Sequence, residues 1–189
     1  MFDNQTQEYY SLHHILDSTR DYVPSSVWIE MLFFDFLIGN TDRHQNNWAL
    51  LTTSNGSRVR RSPLYDNGSS LCCYVLEEDI SLLLGKDTNR FKTLIDTKSR
   101  SLVRLNPKVK KHPSHKEVIE YLLKECPGIS FHIANKMVDV LTDGCIENIL
   151  IDVQDYITLE RKTLIFKFLQ GKVNILHNLL GHKEQENEK

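Results

Sequence analysis

The chain has 189 residues, a mass of 22.0 kDa, a formal net charge of −2, four cysteines, 40% hydrophobic and 25% charged residues. A chain of this size is one domain by default and buries roughly 70% of its unfolded surface, so it needs no disulfide or metal staple. Its composition excludes wholesale disorder, and its longest apolar stretch, Met31 to Ile38, is broken by Asp35, far short of the roughly 20 residues of a membrane span.

The N-terminus carries neither a basic nor an apolar block of the kind a secretion signal needs, so the expected setting is the cytoplasm, with no membrane partner. Tyr9, Leu12, Ile15 and Leu16 mark one face of a helix expected near residues 5–17. After Pro24, Ser25 or Ser26 caps a helix reaching Ile38 that is apolar on nearly every face, the mark of a central, buried element. Residues 48–52 and 58–60 form two short strands around the turn Ser54-Asn55-Gly56. Ser114 and Glu117 make a capping box for a helix over 115–126, which Pro127-Gly128 is expected to stop. A helix over roughly 131–142 ends at Asp143-Gly144. The last helix, about 156–180, repeats Ile157, Leu164, Phe168, Leu176 and Leu180 before Gly181. The fold class is mainly α (α+β): packed helices with one small hairpin, over residues 1–181, followed by a polar tail, 182–189.

Charge is unevenly spread: −6 over residues 1–85, +8 over 86–116 and −4 over 117–189. The middle segment, rich in Lys, Ser and Thr, reads as a basic surface excursion, with Thr88, Thr93, Thr97, Ser99 and Ser101 as candidate phosphorylation sites. Such a segment suits an acidic partner or a phosphate backbone. Direct nucleic-acid binding is not expected, because the overall pI is 6.4 and Phe91 is the segment's sole aromatic residue. Cys72, Cys73, Cys126 and Cys145 have no zinc-site spacing and read as reduced thiols. The histidines include no H-E-x-x-H, and His112 and His115 read as surface residues in a turn. No structural metal site is expected.

The informative stretch is Gly39-Asn40-Thr41-Asp42-Arg43-His44-Gln45-Asn46-Asn47-Trp48, followed by Leu64-Tyr65-Asp66-Asn67-Gly68-Ser69. A buried helix ends in a polar loop, and a hairpin returns the chain so that two carboxylates and an amide meet at its mouth. Phosphoryl transfer uses such a set: a carboxylate takes the proton of the acceptor hydroxyl, while a second carboxylate and a side-chain carbonyl hold Mg²⁺ against the nucleotide phosphates. Asp42 and Asn47 stand five residues apart, as do the base and loop asparagine of protein kinases, and the hairpin delivers Asp66 where those kinases place a metal-binding aspartate. Arg43 and His44 read as braces of the loop, Trp48 and Tyr65 as packing residues.

Residues 38–44 with Asn47, then Ser62-Pro63-Leu64-Tyr65-Asp66-Asn67-Gly68-Ser69-Ser70-Leu71, resemble the catalytic and metal-binding motifs of the HipA-like serine/threonine kinases, bacterial toxin-type kinases of protein-kinase-like fold. The resemblance implies a kinase C-terminal lobe, with Asp42 as catalytic base and Asn47 and Asp66 as Mg²⁺ and ATP-site ligands. It also implies a protein substrate modified on Ser or Thr. Phosphatidylinositol kinases share D-R-H-x-x-N but continue with D-F-G, and aminoglycoside-type phosphotransferases carry a His where Asn40 stands.

Other kinase parts are not in this stretch of chain. There is no G-x-G-x-x-G, no phosphate-binding P-loop and no V-A-I-K-like strand; the first lysine is Lys86. The expectation is therefore a separately supplied N-terminal lobe, or an antitoxin-type protein partner. The alternative is a catalytically inactive kinase-like binding or regulatory module.

Overall fold

The structure, a computed structural model, describes residues 2–85 and 88–187, with the side chains of the last helix described through Gly181. Lys86 and Asp87, and the end of the expected tail at 188–189, lie outside the described residues. The chain opens not on a helix but on a small antiparallel hairpin, β1 (Phe2–Asp3) with β2 (Glu8–Tyr9). Asp3 accepts from the Gln5 N–H at 2.8 Å and the Thr6 hydroxyl at 3.0 Å, and Gln7 takes φ 58°, which turns the chain before helix periodicity can start. Helix α1 follows at Leu12–Thr19.

Helix α2, Ser26–Ile38, is the axis of the molecule. Its apolar residues are buried on all sides because it packs against α5 (His115–Glu125), α6 (Pro127–Val140) and α8 (Leu159–Asn187). Trp28 is fully buried, donates its Nε1–H to the Thr19 hydroxyl at 2.7 Å and meets Trp48 edge-on at 4.6 Å. Trp48 in turn donates to the Tyr10 hydroxyl at 2.8 Å, so the chain entering the next hairpin is pinned to the core. That hairpin pairs β3 (Leu50–Thr52) with β4 (Val59–Arg61), Leu50 opposite Arg61.

The helical second half is denser than expected. Helix α3 (Glu77–Leu84) precedes α4 (Thr88–Thr93), which runs into a π-helical turn, Leu94–Lys98. The segment 86–116 is thus only partly a surface excursion. Ile95, Ser99, Ser101, Val103, Arg104 and His115 are all buried, so Ser99 and Ser101 are not accessible as phosphorylation sites. Ile95 packs on Gly171, and the buried Lys172 ammonium donates to the Ile95 carbonyl at 2.8 Å over the faces of Phe36 and Phe168. Burial pulls the Lys172 ammonium down to about 7.

Helix α5 begins as read: the Ser114 hydroxyl accepts the Glu117 N–H and the Glu117 carboxylate accepts the Ser114 N–H. Helix α5 ends at Glu125, as Pro127-Gly128 suggested, and Pro127 also opens α6, because a proline's missing N–H costs nothing in a first turn. Thr142 likewise caps a further helix, α7 (Asp143–Ile151), where the sequence suggested only an end. Past a 3-10 turn at Gln154–Tyr156, α8 continues beyond Gly181 to Asn187. No helix among the described residues is long and apolar enough to cross a membrane.

Helix α2 stops at Gly39, whose φ of 66° is left-handed. A Cβ there would lie 2.7 Å from Phe168 Cζ and 3.1 Å from Ser99 Oγ. Gly39→Ala should therefore lower unfolding free energy by more than the about 1–2 kcal/mol that a left-handed backbone alone costs. Urea unfolding monitored by circular dichroism measures it; an unchanged midpoint would contradict this close approach.

Candidate active site

The polar loop leaving α2 is built around a buried ion pair. Asp35 and Arg43 are each 1% exposed, and Arg43 Nη2 lies 2.7 Å from Asp35 Oδ1. Nε adds bonds of 3.2 and 3.0 Å to the two Asp35 oxygens. Asn40 Nδ2 reaches Asp35 Oδ1 at 3.2 Å. Burial pushes the Asp35 carboxyl up, and the adjacent Arg43 guanidinium holds that rise in check.

The remaining Arg43 donors cross the site. Nη1 donates to the Asn47 carbonyl at 2.8 Å and the Tyr65 carbonyl at 2.9 Å, and Nη2 to Asn67 Oδ1 at 2.7 Å. One side chain therefore ties the Asp42–Asn47 loop to the two residues flanking Asp66. Tyr65 adds a bond from its hydroxyl to the Asn46 carbonyl at 2.9 Å. Two backbone bonds, Thr41 N–H to Ser69 O at 3.1 Å and Leu71 N–H to Ile38 O at 2.8 Å, lay the segment after Asp66 along the end of α2. All the N–H groups of Arg43 are spent on protein, so it acts as a brace and not as a phosphate ligand. Bracing was the role the sequence suggested.

Asp42 is half-buried; its N–H donates to Asn40 Oδ1 at 3.0 Å and its carbonyl accepts Asn47 Nδ2 at 2.8 Å. Asn47 is buried, and with its NH₂ pole tied to the loop, Oδ1 is the pole left for a cation. Asp66 is exposed and left-handed, φ 53°. Among the described residues, no hydrogen bond or ion pair engages the Asp42 or Asp66 carboxylate. Asn47 Oδ1 and the Asp66 carboxylate are hard oxygen donors, the kind and number of protein ligands that Mg²⁺ takes when phosphates and water complete its shell. Neither carboxylate shows a grouping suited to zinc: no cluster of three or more His, Cys, Asp or Glu side chains occurs among the described residues.

Two further braces escaped the sequence reading. His115, expected at the surface, is 1% exposed, and its Nε2 lies 2.9 Å from the Asn40 carbonyl. The capping box sits beside this first residue of α5, which faces inward against the loop that follows α2. Burial drives its pKa down to about 3, so the ring is neutral and donates Nε2–H. Arg161 on α8 donates to the carbonyls of Cys72 at 2.9 Å and Val75 at 2.6 Å and pairs with Glu77. These bonds hold a backbone in which Leu71 (φ 51°) and Cys72 (φ 61°) are both left-handed. The cysteines are unpaired, and burial pushes the Cys72 thiol up to about 12. Beside this backbone, Gly39, Thr41, Ser69 and Ser70 line a cleft of about 90 Å³. A larger cleft of about 560 Å³ between α3 and α4 shares Tyr74, Val75, Leu94 and Lys98 with it.

Comparison with known proteins gives the family and the fold. Residues 1–128 match the family model of the HipA-like C-terminal domain. The serine/threonine-protein kinase CtkA of Helicobacter pylori is 39% identical over 51 residues, 27% of this chain and 15% of that protein. The crystal structure of a Helicobacter pylori proinflammatory kinase CtkA superposes with a TM-score of 0.76 at 17% identity, over 93% of this chain. The chain spans 65% of the length of that solved kinase.

Two outcomes follow from the braces. Arg43→Ala leaves Asp35 buried without its partner and should cost about 3–5 kcal/mol in urea unfolding. Arg43→Lys, which keeps the charge but not the fork, should recover only part of that; full recovery would show that the charge alone matters. For His115, the unfolded ring binds a proton below its ordinary value near 6.5 while the folded ring stays neutral to about 3. Its contribution is complete above pH 6.5 and is lost as pH falls toward 3, with a slope of up to about 1.4 kcal/mol per pH unit. Urea midpoints at pH 7 and pH 5 should lie further apart in the native chain than in His115→Gln; equal separations in the two would contradict this.

Proposed function

The chain belongs to the HipA-like C-terminal domain family, and from that premise we propose that it is the catalytic lobe for transfer of the γ-phosphoryl group of ATP to a Ser or Thr hydroxyl of a protein substrate. The observation that carries this reading is the Arg43 clamp. It joins the loop bearing Asp42 and Asn47 to the backbone on both sides of Asp66.

In this reading Asp42 accepts the proton of the attacking hydroxyl at its half-buried, unengaged carboxylate. Asn47 offers Oδ1 and Asp66 its carboxylate as oxygen ligands for Mg²⁺. Mg²⁺, when bound with ATP, neutralises the charge that builds on the transferring phosphoryl group. Arg43 fixes the backbone around the three groups, and His115 and Arg161 hold the adjoining chain at Asn40 and at Cys72–Val75, so little reorganisation is left for the reaction itself. The roof of the nucleotide site and a phosphate-binding lysine come, in this proposal, from a separately supplied N-terminal lobe.

The test supplies the chain with an N-terminal lobe and follows transfer of γ-labelled phosphate from ATP to Ser and Thr. Asp42→Asn should lower kcat by about 10²–10⁴-fold with the fold intact. Asp66→Asn should raise the Mg²⁺ concentration needed for half-maximal rate. Unchanged rates in both variants would overturn the catalytic reading. A silent binding module would instead show no Mg-ATP thermal shift and would keep its partner in both variants.

A further inference from the structure

The basic segment carries a feature that the catalytic site does not use. Arg104 is 5% exposed, yet among the described residues no carboxylate pairs with it. Its guanidinium lies over the Tyr9 ring, 4.6 Å from the centroid. Nε donates to the Lys110 carbonyl at 3.1 Å and Nη2 meets His112 Nε2 at 2.9 Å. Nη1 is buried with no hydrogen-bond partner. A buried cation lacking both a counter-ion and one partner is costly, and it stands out against Arg43, whose donors are all satisfied.

Arg104 lines a cleft of about 220 Å³ together with Asn106, Lys111 and His112, and with Val109 and Pro113 as apolar wall. Lys111 is exposed. His112 cannot supply the missing negative charge, since an imidazole is neutral or cationic; burial and the nearby Arg104 and Arg100 guanidinium groups hold its pKa below the ordinary value, and its Nδ1 is engaged with the Ser101 carbonyl at 3.1 Å. Glu117 also reaches the cleft, but its carboxylate accepts the Ser114 N–H at 2.6 Å in the capping box of α5.

We propose that this cleft is a binding site for an oxyanion group, a phosphoryl or carboxylate carried on a small molecule, held between Arg104 Nη1 and the Lys111 ammonium. The group would satisfy the orphaned guanidinium nitrogen by a charge-assisted hydrogen bond, and the apolar wall would take the adjoining carbon skeleton. The cleft size accommodates one small ligand and not a folded surface. The site is independent of the phosphoryl-transfer reading, since it uses none of Asp42, Asn47 and Asp66.

The experiment titrates the full chain with inorganic phosphate, and in parallel with acetate, at constant ionic strength while amide resonances of residues 104–113 are followed. Saturable shifts are expected with at least one of the two. Phosphate alone identifies a phosphoryl ligand; acetate as well identifies any small oxyanion. Lys111→Glu, at an exposed position, should weaken the binding about tenfold or more, the loss of one charge-assisted bond. Arg104→Gln should abolish it, and where that variant unfolds, Lys111→Glu carries the test. Shifts that never saturate, or native affinity in Lys111→Glu, would overturn the proposal and leave an ordered water as the partner of Nη1.

Discussion

A carboxylate at position 35, in the middle of the most apolar helix of the chain, would be untenable alone: a charge taken out of water must be paired or neutralised. Arg43 resolves this by folding back from the loop that follows. Because a guanidinium presents its donors in a rigid fork, the same residue that neutralises Asp35 must point its other edge somewhere fixed, and that edge holds the carbonyls of Asn47 and Tyr65 and the amide of Asn67. The desolvation of one acid in the core thus dictates the shape of a loop and the position of a segment more than twenty residues downstream. A lysine could neutralise Asp35 but could not transmit that constraint.

The other braces extend the same logic outward. Asn40 accepts from His115 through its carbonyl, donates to Asp35 through its amide nitrogen and accepts the Asp42 N–H through its amide oxygen. One residue thereby couples α5, α2 and the loop that bears Asp42. Lys172 holds the π-helical turn against α8, close to the Gly39 that ends α2, and Arg161 holds the left-handed backbone at Leu71 and Cys72. Strain is concentrated where the chain leaves Asp66, and it persists because two arginines fix the backbone on either side.

How much of this was legible depends on whether the signal was local. Helix α2, its end at Gly39, the β3–β4 hairpin and the capping box of α5 follow from short-range chemistry, and the sequence locates them nearly to the residue. The set Asp42, Asn47 and Asp66 was visible as a spacing, and bracing by Arg43 was foreseen without its partner. The buried polar groups were not seen, although two left traces. Asp35 appeared only as an interruption of an apolar run, when an acid buried there demands a nearby cation. Lys172 fills the gap in the series Leu164, Phe168, Leu176 and Leu180, which places it on the inward stripe of α8. His115 and Arg161 had no such trace, since their partners are backbone carbonyls far along the chain. Pro127-Gly128 marked the end of α5, but that Pro127 also starts α6 and that Thr142 and Asp143 start α7 was missed, because the same residue types serve as stops and as starts and only the following turn decides.

The distribution of rigidity has a chemical consequence. Phosphoryl transfer needs its proton acceptor and its metal ligands fixed relative to each other more than it needs them fixed relative to the nucleotide's adenine, since the charge develops at the phosphoryl end. Asp42, Asn47 and Asp66, the residues proposed for those roles, sit on one braced floor whose supports, Asp35, Arg43, Asn40 and His115, are all buried. A floor that holds its own geometry can be completed by a roof from elsewhere without being rebuilt on docking. Among the described residues the Asp42 and Asp66 carboxylates have no hydrogen bond or ion pair, and Asn47, tied through Nδ2 to the Asp42 carbonyl, keeps Oδ1 open.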